Sequence, residues 1–242
     1  EFVTNTGTKK RRFRRVESKI TAKGARAIFY RQFLEYKKEK YFIFTKMTVL
    51  SAVVAFIFAY SLQKSVSDSS MAGFILLGVV AYVALIMSGY TGKWESELKN
   101  PYIFLIPDSP LKKMWYATLM EHVKAFADGC IICIPIGIFW HVPVIEIIYC
   151  ILIYTVLQAD RLYTMVIVQS LLGEVFGKTG QSLLRMFIQM ALLGVGAGVG
   201  VLAAVLISQT LIFPIVLIYG LMITVAMGAI ALLRFDTMEQ FV

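Results

Sequence analysis

The sequence predicts an all-α integral membrane protein with six transmembrane helices, preceded by an amphipathic helix. First, 58% of the 242 residues are hydrophobic and only 16% are charged, whereas soluble domains carry about 25% charged residues. Second, the mean hydropathy is +0.73, and a soluble fold of this size has too little interior to hide so much apolar surface. Third, the apolar residues fall into six runs of helical length that lack the alternation of strands.

The basic charge is concentrated at the N-terminal end. Residues 1–46 hold 14 Lys and Arg but four Asp and Glu, whereas the remaining residues hold 10 and 11. Residues 1–23 include the basic run Lys9–Arg15. We interpret this segment as a cytoplasmic flank beside anionic lipid, because a long apolar run begins at Tyr41. A tail that binds nucleic acid would look similar, but we expect no nucleic-acid partner.

Residues 24–41 are predicted to form an amphipathic helix at the membrane interface. Apolar positions recur at helical spacing at Ile28, Phe29, Phe33 and Tyr36. The polar side is basic and holds Arg26, Arg31, Lys37 and Lys38. Such a helix can lie in the interface plane with its aromatic groups at headgroup level, leading into the first span.

A transmembrane domain is predicted over residues 42–242, since a helix needs about 20 apolar residues to cross the hydrocarbon core. Its six spans are about 42–63, 71–90, 122–140, 144–172, 183–207 and 211–233. With the basic N-terminus inside, the three outer loops contain Lys64 as their one basic residue. The inner side holds Lys93, Lys99, Lys112, Lys113, Lys178 and Arg185. The excess of basic residues inside predicts that both termini are cytoplasmic.

The fourth span is interrupted by Asp160 and Arg161. Adjacent residues do not face each other on a helix, so these two side chains would need separate partners if both were buried. One alternative is a span that ends near Asp160, and the other is a single tilted helix. We expect a long helix that emerges into the cytoplasm.

The loop between the second and third spans contains a second amphipathic segment. Asp108 or Ser109 can cap a new helix that has Pro110 at its first position. This helix is predicted to place Leu111, Met114 and Trp115 on one side and Lys112 and Lys113 on another. It is too polar to cross the membrane, so we expect it at the cytoplasmic surface in contact with lipid or another protein.

The order of these parts resembles the permeases of bacterial ABC exporters, in particular the type 2 exporter class and the Gram-positive "putative ABC exporter" family. The shared parts are a basic amphipathic elbow helix, six spans, and a loop of the form Leu-x-x-x-x-Pro followed by Ser/Pro and basic residues. That motif lies within residues 95–116, at Leu105–Lys113. The type 2 class has re-entrant helices between its last two spans, whereas only residues 208–210 join them here, which indicates a divergent relative.

The resemblance implies a permease that moves its substrate by alternating access and docks through a coupling helix on a separate ABC ATPase subunit. The coupling residues would be Pro107, Asp108, Ser109, Pro110, Leu111, Lys112, Lys113 and Trp115. ATP and Mg²⁺ would be bound by the ATPase, so we expect no catalytic residue and no cofactor in this chain. A second permease copy or half, membrane lipid and the bacterial cytoplasmic membrane follow from the same resemblance. Because the chain begins at Glu1, we expect it to be a C-terminal half or fragment.

Two motifs suggest other chemistry, and neither fits its context. The stretch Gly173–Thr179 resembles a phosphate loop, but three residues separate its glycines where the motif requires four. We interpret it as a cytoplasmic turn. Cys130 and Cys133 form a CxxC pair, but zinc requires about four ligands and no second pair exists. With Cys150 they are interpreted as small buried residues, and we expect no metal site.

The spans contain glycines and acidic residues that are candidates for packing and transport. Gly194, Gly196, Gly198 and Gly200 give two GxxxG spacings, which favour close helix packing and an interface with a second copy. Asp128 lies about two turns into the third span. It is a candidate for the translocation path, because charged residues inside spans are costly and often functional, or it pairs with Lys124. For Glu146, the first turn of a helix is a sufficient explanation.

Two other classes of function compete with the exporter. A secondary transporter or channel would depend on ionisable residues within the membrane and on discontinuous helices, and this sequence has few deep charges. A membrane enzyme would require a cluster of His, Asp and Glu, which the sequence lacks.

Overall fold

The computed structural model describes residues 22–38, 42, 44, 46–63, 71–89, 93–98, 101–172, 177–206 and 211–240. These residues form eight α-helices. They are α1 (Arg26–Lys38), α2 (Lys46–Leu62), α3 (Ala72–Ser88), α4 (Lys93–Leu98), α5 (Pro110–Phe139), α6 (Val144–Leu172), α7 (Gly177–Leu206) and α8 (Ile212–Gln240). The basic run Lys9–Arg15, the loop 64–70, residues 173–176 and the link 208–210 lie outside the described residues.

Among the described residues, five helical segments are long and apolar enough to cross a membrane, and they contain α3, α5, α6, α7 and α8. The prediction of an all-helical membrane protein is therefore confirmed, but only five of the six predicted spans reach spanning length. The remaining one, α2, is a shorter apolar helix over Thr48–Leu62. The predicted run began at residue 42, whereas Phe42 has a φ of +54°, a left-handed conformation that a helix does not contain.

The two elements predicted around residues 110–140 form one helix. α5 runs without a break from Pro110 to Phe139, so the amphipathic segment of the loop is its N-terminal end rather than a separate helix. The helix is about 45 Å long at 1.5 Å per residue. It ends in a turn where the backbone N–H of Val142 donates to the Gly137 carbonyl at 2.9 Å and His141 has a φ of +56°. This is the arrangement of a Schellman motif.

α6 is the central helix of the bundle and contacts α3, α5, α7 and α8. It passes through Asp160 and Arg161 without interruption. Asp160 is 1% exposed, and Leu162 and Val166 beyond it are also buried. α6 therefore remains inside the bundle past Asp160, where the sequence suggested that it emerges into water.

Two apolar cores are separated by a polar layer. The turn-side core, near residues 140–143, includes Ile132 and Ile136 of α5 and residues 147–154 of α6. The loop-side core, near the loop that precedes α5, includes Met114 and Ala117 of α5 and residues 162–167 of α6. A set of buried polar side chains lies between these cores along α5 and α6, or faces them from α4 and α7. This polar layer includes Glu95, Asp128, Gln158, Asp160, Gln181, Arg185 and Gln189, and other buried polar residues such as Gln32 and Lys113 lie elsewhere.

The short helix α4 is anchored in the bundle by buried polar contacts. The indole N–H of Trp94 donates to the Leu162 carbonyl at 3.3 Å, and the side chain of Trp94 is fully buried. Glu95 forms an ion pair with Arg185 of α7 at 3.1 Å, in which both side chains are less than a tenth exposed. Arg185 thus lies inside the protein, although the sequence counted it with the basic residues of an inner loop.

We expect the Glu95–Arg185 pair to show strong coupling in stability. Glu95→Gln or Arg185→Gln removes one charge of this buried pair, and breaking a buried ion pair costs about 3–5 kcal/mol of the free energy of unfolding. The double variant should lose clearly less than the sum of the two single losses. Chemical unfolding of the protein in detergent measures all four free energies. Additive losses would contradict the assignment of a coupled buried pair.

Candidate functional site

Asp108 joins the start of α1 to the start of α5. One carboxylate oxygen, Oδ2, accepts the backbone N–H of Ala25 at 3.2 Å, and the other, Oδ1, accepts the N–H of Ser109 at 2.9 Å. Lys112 lies 3.5 Å from Oδ1. Gly24 has a φ of +63°, and a Cβ there would lie 2.9 Å from Oδ2, so both the backbone and the space favour glycine. Ser109 is the N-cap residue of α5 but makes no side-chain capping hydrogen bond, and the Asp108 carboxylate accepts instead the backbone N–H groups that precede α1 and α5.

The rest of α1 packs against α5 and α4. Its buried face is Ile28, Gln32 and Tyr36, and the Tyr36 hydroxyl donates to Glu121 Oε1 at 3.2 Å. Arg31 forms an ion pair with Glu97 of α4. α1 is consequently held to the loop and to α5 through Ile28 and Tyr36, which belong to the predicted apolar set, and through Gln32, which does not. Phe29 and Phe33 of the predicted set stack on each other beside this face.

At the start of α5, the division between buried and exposed side chains differs from the predicted one. Lys113 is fully buried, and its ammonium donates to the Phe104 carbonyl at 3.1 Å. Met114 is also buried, whereas Leu111 and Trp115 are more than half exposed. Lys113 and Met114 belong to the loop-side packing, so neither is available to a partner as the sequence suggested. A lysine on the packed side of a helix can be buried when its carbon chain contacts apolar side chains and its ammonium donates to an acceptor inside the protein.

An exposed loop surface remains, and it combines apolar and basic groups. We define it as Tyr102, Leu105, Leu111, Lys112 and Trp115. Its four large apolar members are 51–68% exposed. Exposed apolar groups that lie together on a rigid support are typical of a contact site for a protein or a membrane surface.

A groove of about 340 Å³ adjoins this surface. It is lined by Lys23, Arg26, Asp108, Leu111, Lys112, Trp115 and Tyr116. Pro107 and Ser109 are exposed beside it, and Pro110 begins the helix. The predicted coupling residues are thus brought together at one end of α5, with Lys113 turned inward.

Asp128 lies in the polar layer, 9% exposed. Its carboxyl group is hydrogen-bonded by the Thr48 side chain of α2, and it interacts electrostatically with Lys124 of its own helix and Arg161 of α6. Oδ1 of Asp128 has no hydrogen-bond partner in the described part of the chain. Arg161 in turn donates to Gln158 Oε1 at 2.9 Å. Asp128 therefore shares a buried network with α2 and α6.

Several members of the polar layer were missed in the sequence. Gln181, Arg185 and Gln189 of α7 are all buried and are spaced four residues apart, which places them on one helical face. The Gln189 side-chain amide donates to the Leu157 carbonyl of α6 at 3.4 Å. The signal in the sequence was a polar residue at every fourth position of an otherwise apolar helix. Arg185 was instead interpreted as one of the basic residues that set the topology.

The four glycines of α7 form two pairs with different surroundings. A Cβ on Gly196 would lie 3.0 Å from the Tyr219 ring of α8, and one on Gly200 would lie 3.3 Å from Val216. No described atom lies within 4 Å of that position on Gly194 or Gly198. The pair Gly196 and Gly200 therefore brings α7 close to α8, whereas Gly194 and Gly198 face away from the described residues.

The remaining candidates lie near the turn between α5 and α6. The carboxylate of Glu146 occupies the space where a side chain on Gly73 of α3 would project. Cys133 and Cys150 are buried in the turn-side core, and Cys130 is half-buried beside it. These cysteines are free thiols in the structure, surrounded by apolar side chains.

Long apolar helices around a buried polar layer define a polytopic α-helical membrane protein. The family described as "Putative ABC exporter" matches residues 1–239, and the chain belongs to this family, as its resemblance predicted. The membership assigns it a membrane location and indicates a membrane component of an ABC transporter, with transport rather than enzymatic activity and an ABC ATPase as its general partner. No curated protein and no solved structure matches the chain.

Adjacent lysines provide a matched test of the inward orientation of Lys113. Lys113→Met removes the donor to the Phe104 carbonyl, and leaving a buried acceptor unpaired costs about 1–3 kcal/mol. Lys112→Met removes an exposed i,i+4 pair with Asp108, and such pairs contribute little to stability. Thermal unfolding in detergent should therefore show a clear loss for Lys113→Met alone. Equal losses would mean that Lys113 is not held in the loop-side packing.

The Asp108 contact predicts a pH dependence for the attachment of α1. The hydrogen bonds from the Ala25 and Ser109 N–H groups, with Lys112 nearby, hold the pKa of Asp108 below its usual value. A carboxylate with a lowered pKa stabilises the fold at pH values above its unfolded pKa of about 3.9, and this contribution disappears as the pH falls through the lower folded value.

Hydrogen exchange of residues 22–30, corrected for the intrinsic pH effect, measures this attachment. Protection should be constant from neutral pH down to about pH 5 and should fall only below about pH 4. Asp108→Asn should reduce protection at neutral pH and flatten the change at low pH. Protection that falls between pH 7 and pH 5 would exclude Asp108 as the responsible group.

Proposed function

We propose that this chain is the membrane-spanning permease subunit of an ATP-driven exporter, with the exposed loop surface as the docking site for a separate ATPase subunit. The observation that carries the proposal is the continuity of α5. The same helix holds Leu111 and Trp115 at its exposed end and Asp128 in the buried polar layer. A force applied at the loop surface is therefore delivered to the bundle interior by one rigid element.

A series of ring contacts supports the same route. The ring centroid of Trp115 lies 5.9 Å from that of His122, and His122 lies 6.2 Å from Tyr163 of α6. Tyr163 in turn packs against Gly228 of α8. A displacement of Trp115 would thus act on α5, α6 and α8, because packed side chains transmit shifts between rigid helices.

The docking surface would move as a unit with α1 and α4. Asp108 holds α1 to the start of α5, and Arg31 holds it to Glu97 of α4. Glu95 extends this connection to Arg185 of α7. ATP binding on the partner would push on this assembly and tilt the helices, which alternates access across the polar layer. Asp128 would lie on the translocation path, where a buried carboxylate can contact a passing substrate.

The orientation in the membrane follows from the distribution of basic residues. The loop surface and the residues around it carry Lys23, Arg26, Lys112 and Arg31, whereas the turn at residues 141–143 has none. By the positive-inside rule, this asymmetry supports a cytoplasmic location for the loop surface and both termini in a bacterial cell. In this arrangement α2 is the sixth span of the bundle.

A second permease copy or half is expected against α7. Much of this helix is exposed apolar surface, and Gly194 and Gly198 leave a flat strip on it. Glycines spaced four apart allow a second backbone to approach closely.

Secondary transport is the competing function, and the buried carboxylates Asp128 and Asp160 are the observation in its favour. Reconstituted vesicles distinguish the two. Transport that requires ATP and the partner subunit supports the exporter. Transport that an ion gradient drives without the ATPase, and that Asp128→Asn abolishes, supports the secondary transporter.

Docking is tested by Leu111→Ala/Trp115→Ala. If these side chains are central contacts, each truncation should cost about 2 kcal/mol or more of binding free energy, and the double variant should lose co-purification with the ATPase and substrate-coupled ATP hydrolysis. Leu171→Ala/Leu233→Ala is the matched control, since both residues are more than half exposed on α6 and α8. Unchanged assembly in the first variant, or equal losses in both, would overturn the docking site.

A further inference from the structure

A cavity of about 330 Å³ lies between α3, α6, α7 and α8. This volume is within the range of about 300–1,000 Å³ of small-molecule sites. Its walls are almost entirely apolar, and small residues open the space: Gly78 of α3 and Gly196 and Gly200 of α7. The glycines that bring α7 close to α8 therefore also shape the cavity.

One carboxylate belongs to this cavity. Asp160 of α6 lines it, is 1% exposed, and has one oxygen, Oδ1, without a hydrogen-bond partner in the described part of the chain. No Lys, Arg or His is found among the described residues that line the cavity. Arg161, next in the sequence, donates to Gln158 instead. The Thr224 side chain hydrogen-bonds the Asp160 carboxyl group, but the described lining offers it no positive charge. A positively charged ligand would therefore stabilise the ionised form of this carboxyl group in its apolar surroundings.

Two aromatic rings complete the site. Phe74 of α3 and Tyr219 of α8 line the cavity, and Tyr219 is held in place by its hydroxyl, which donates to the Leu192 carbonyl at 3.2 Å. Aromatic faces attract cations, most strongly where water is excluded. A carboxylate, two rings and an apolar wall together favour a ligand that is both hydrophobic and positively charged.

We propose that this cavity binds a lipophilic monocation, whose charge pairs with Asp160 and whose apolar body fills the space beside Gly78 and Gly196. The proposal rests on the proposed function, because it names the substrate class of the exporter. Asp160 contacts the ligand directly, while Asp128 lies elsewhere in the polar layer.

Tetraphenylphosphonium and tetraphenylborate are suitable probes, since they have the same shape and opposite charges. Equilibrium binding is measured on the full chain in nanodiscs of neutral lipid, with empty nanodiscs as the blank. We expect saturable binding of tetraphenylphosphonium, no competition by tetraphenylborate, and a loss in affinity of about tenfold or more in Asp160→Asn. Glu146→Gln removes a carboxylate outside the cavity and should bind like the wild type.

A second pair of variants decides the outcome if Asp160→Asn does not fold. No described atom lies within 4 Å of a Cβ on Gly78, which lines the cavity, whereas Ala226 is exposed on α8 outside the cavity. Gly78→Leu should therefore block binding, and Ala226→Leu should not. The proposal is overturned if wild type does not bind the cation above the blank, if both probes bind equally, or if Asp160→Asn and Gly78→Leu both bind as wild type does. The assay contains no ATPase and no nucleotide, so these outcomes are independent of the docking experiment.

Discussion

The structure depends on one constraint, which is that polar side chains inside an apolar bundle must find their partners within the protein. Glu95 and Arg185 meet this constraint by pairing at 3.1 Å, and their pairing fixes α4 against α7. Arg161 donates to Gln158 and Asp128 is hydrogen-bonded by Thr48, while one oxygen each of Asp128 and Asp160 has no partner among the described residues. The helices are thus positioned by a polar layer between two apolar cores. Because apolar packing alone specifies orientation weakly in lipid, this layer determines how α5, α6 and α7 face one another.

The loop surface gains its rigidity from the same kind of contact. Lys113 and Asp108 use their charges inward, on the Phe104 carbonyl and on the N-terminus of α1. Their neighbours Leu111 and Trp115 are left exposed on a supported helix end. The proposed coupling therefore requires no separate hinged helix, since α5 extends from the exposed end to the polar layer. In this account the partner ATPase moves α5 and α1 together, and the cavity beside Asp160 changes its access as α6 and α8 follow.

Much of this fold could be predicted from the sequence, because span length and hydropathy are local properties. The apolar runs of α3, α6, α7 and α8 were located, whereas α5 was predicted as a loop helix and a separate span. The family followed from the order of these parts and from the loop around Leu105–Lys113. The sequence could not show which side of α5 is packed, because Lys112 and Lys113 have the same chemistry and differ only in their angle around the helix. Nor could it separate Gly196 from Gly198, since one faces α8 and the other does not. The sequence also could not show that Arg185 is buried in an ion pair, because its partner Glu95 lies 90 residues away in the chain. Arg185 was therefore interpreted as a basic residue of the inner side.

Site-directed photo-crosslinking in assembled membranes tests the central claim most directly. A photoreactive phenylalanine analogue at Leu105, Leu111 or Trp115 should crosslink to the ATPase subunit, and the yield should change between nucleotide-free and ATP-bound states. The same probe at Leu171 or Phe187, which are equally exposed on other helices, should give no such product. Crosslinks that arise from Leu171 or Phe187, but not from the loop surface, would contradict the assignment of this surface as the point where ATP hydrolysis is coupled to the bundle.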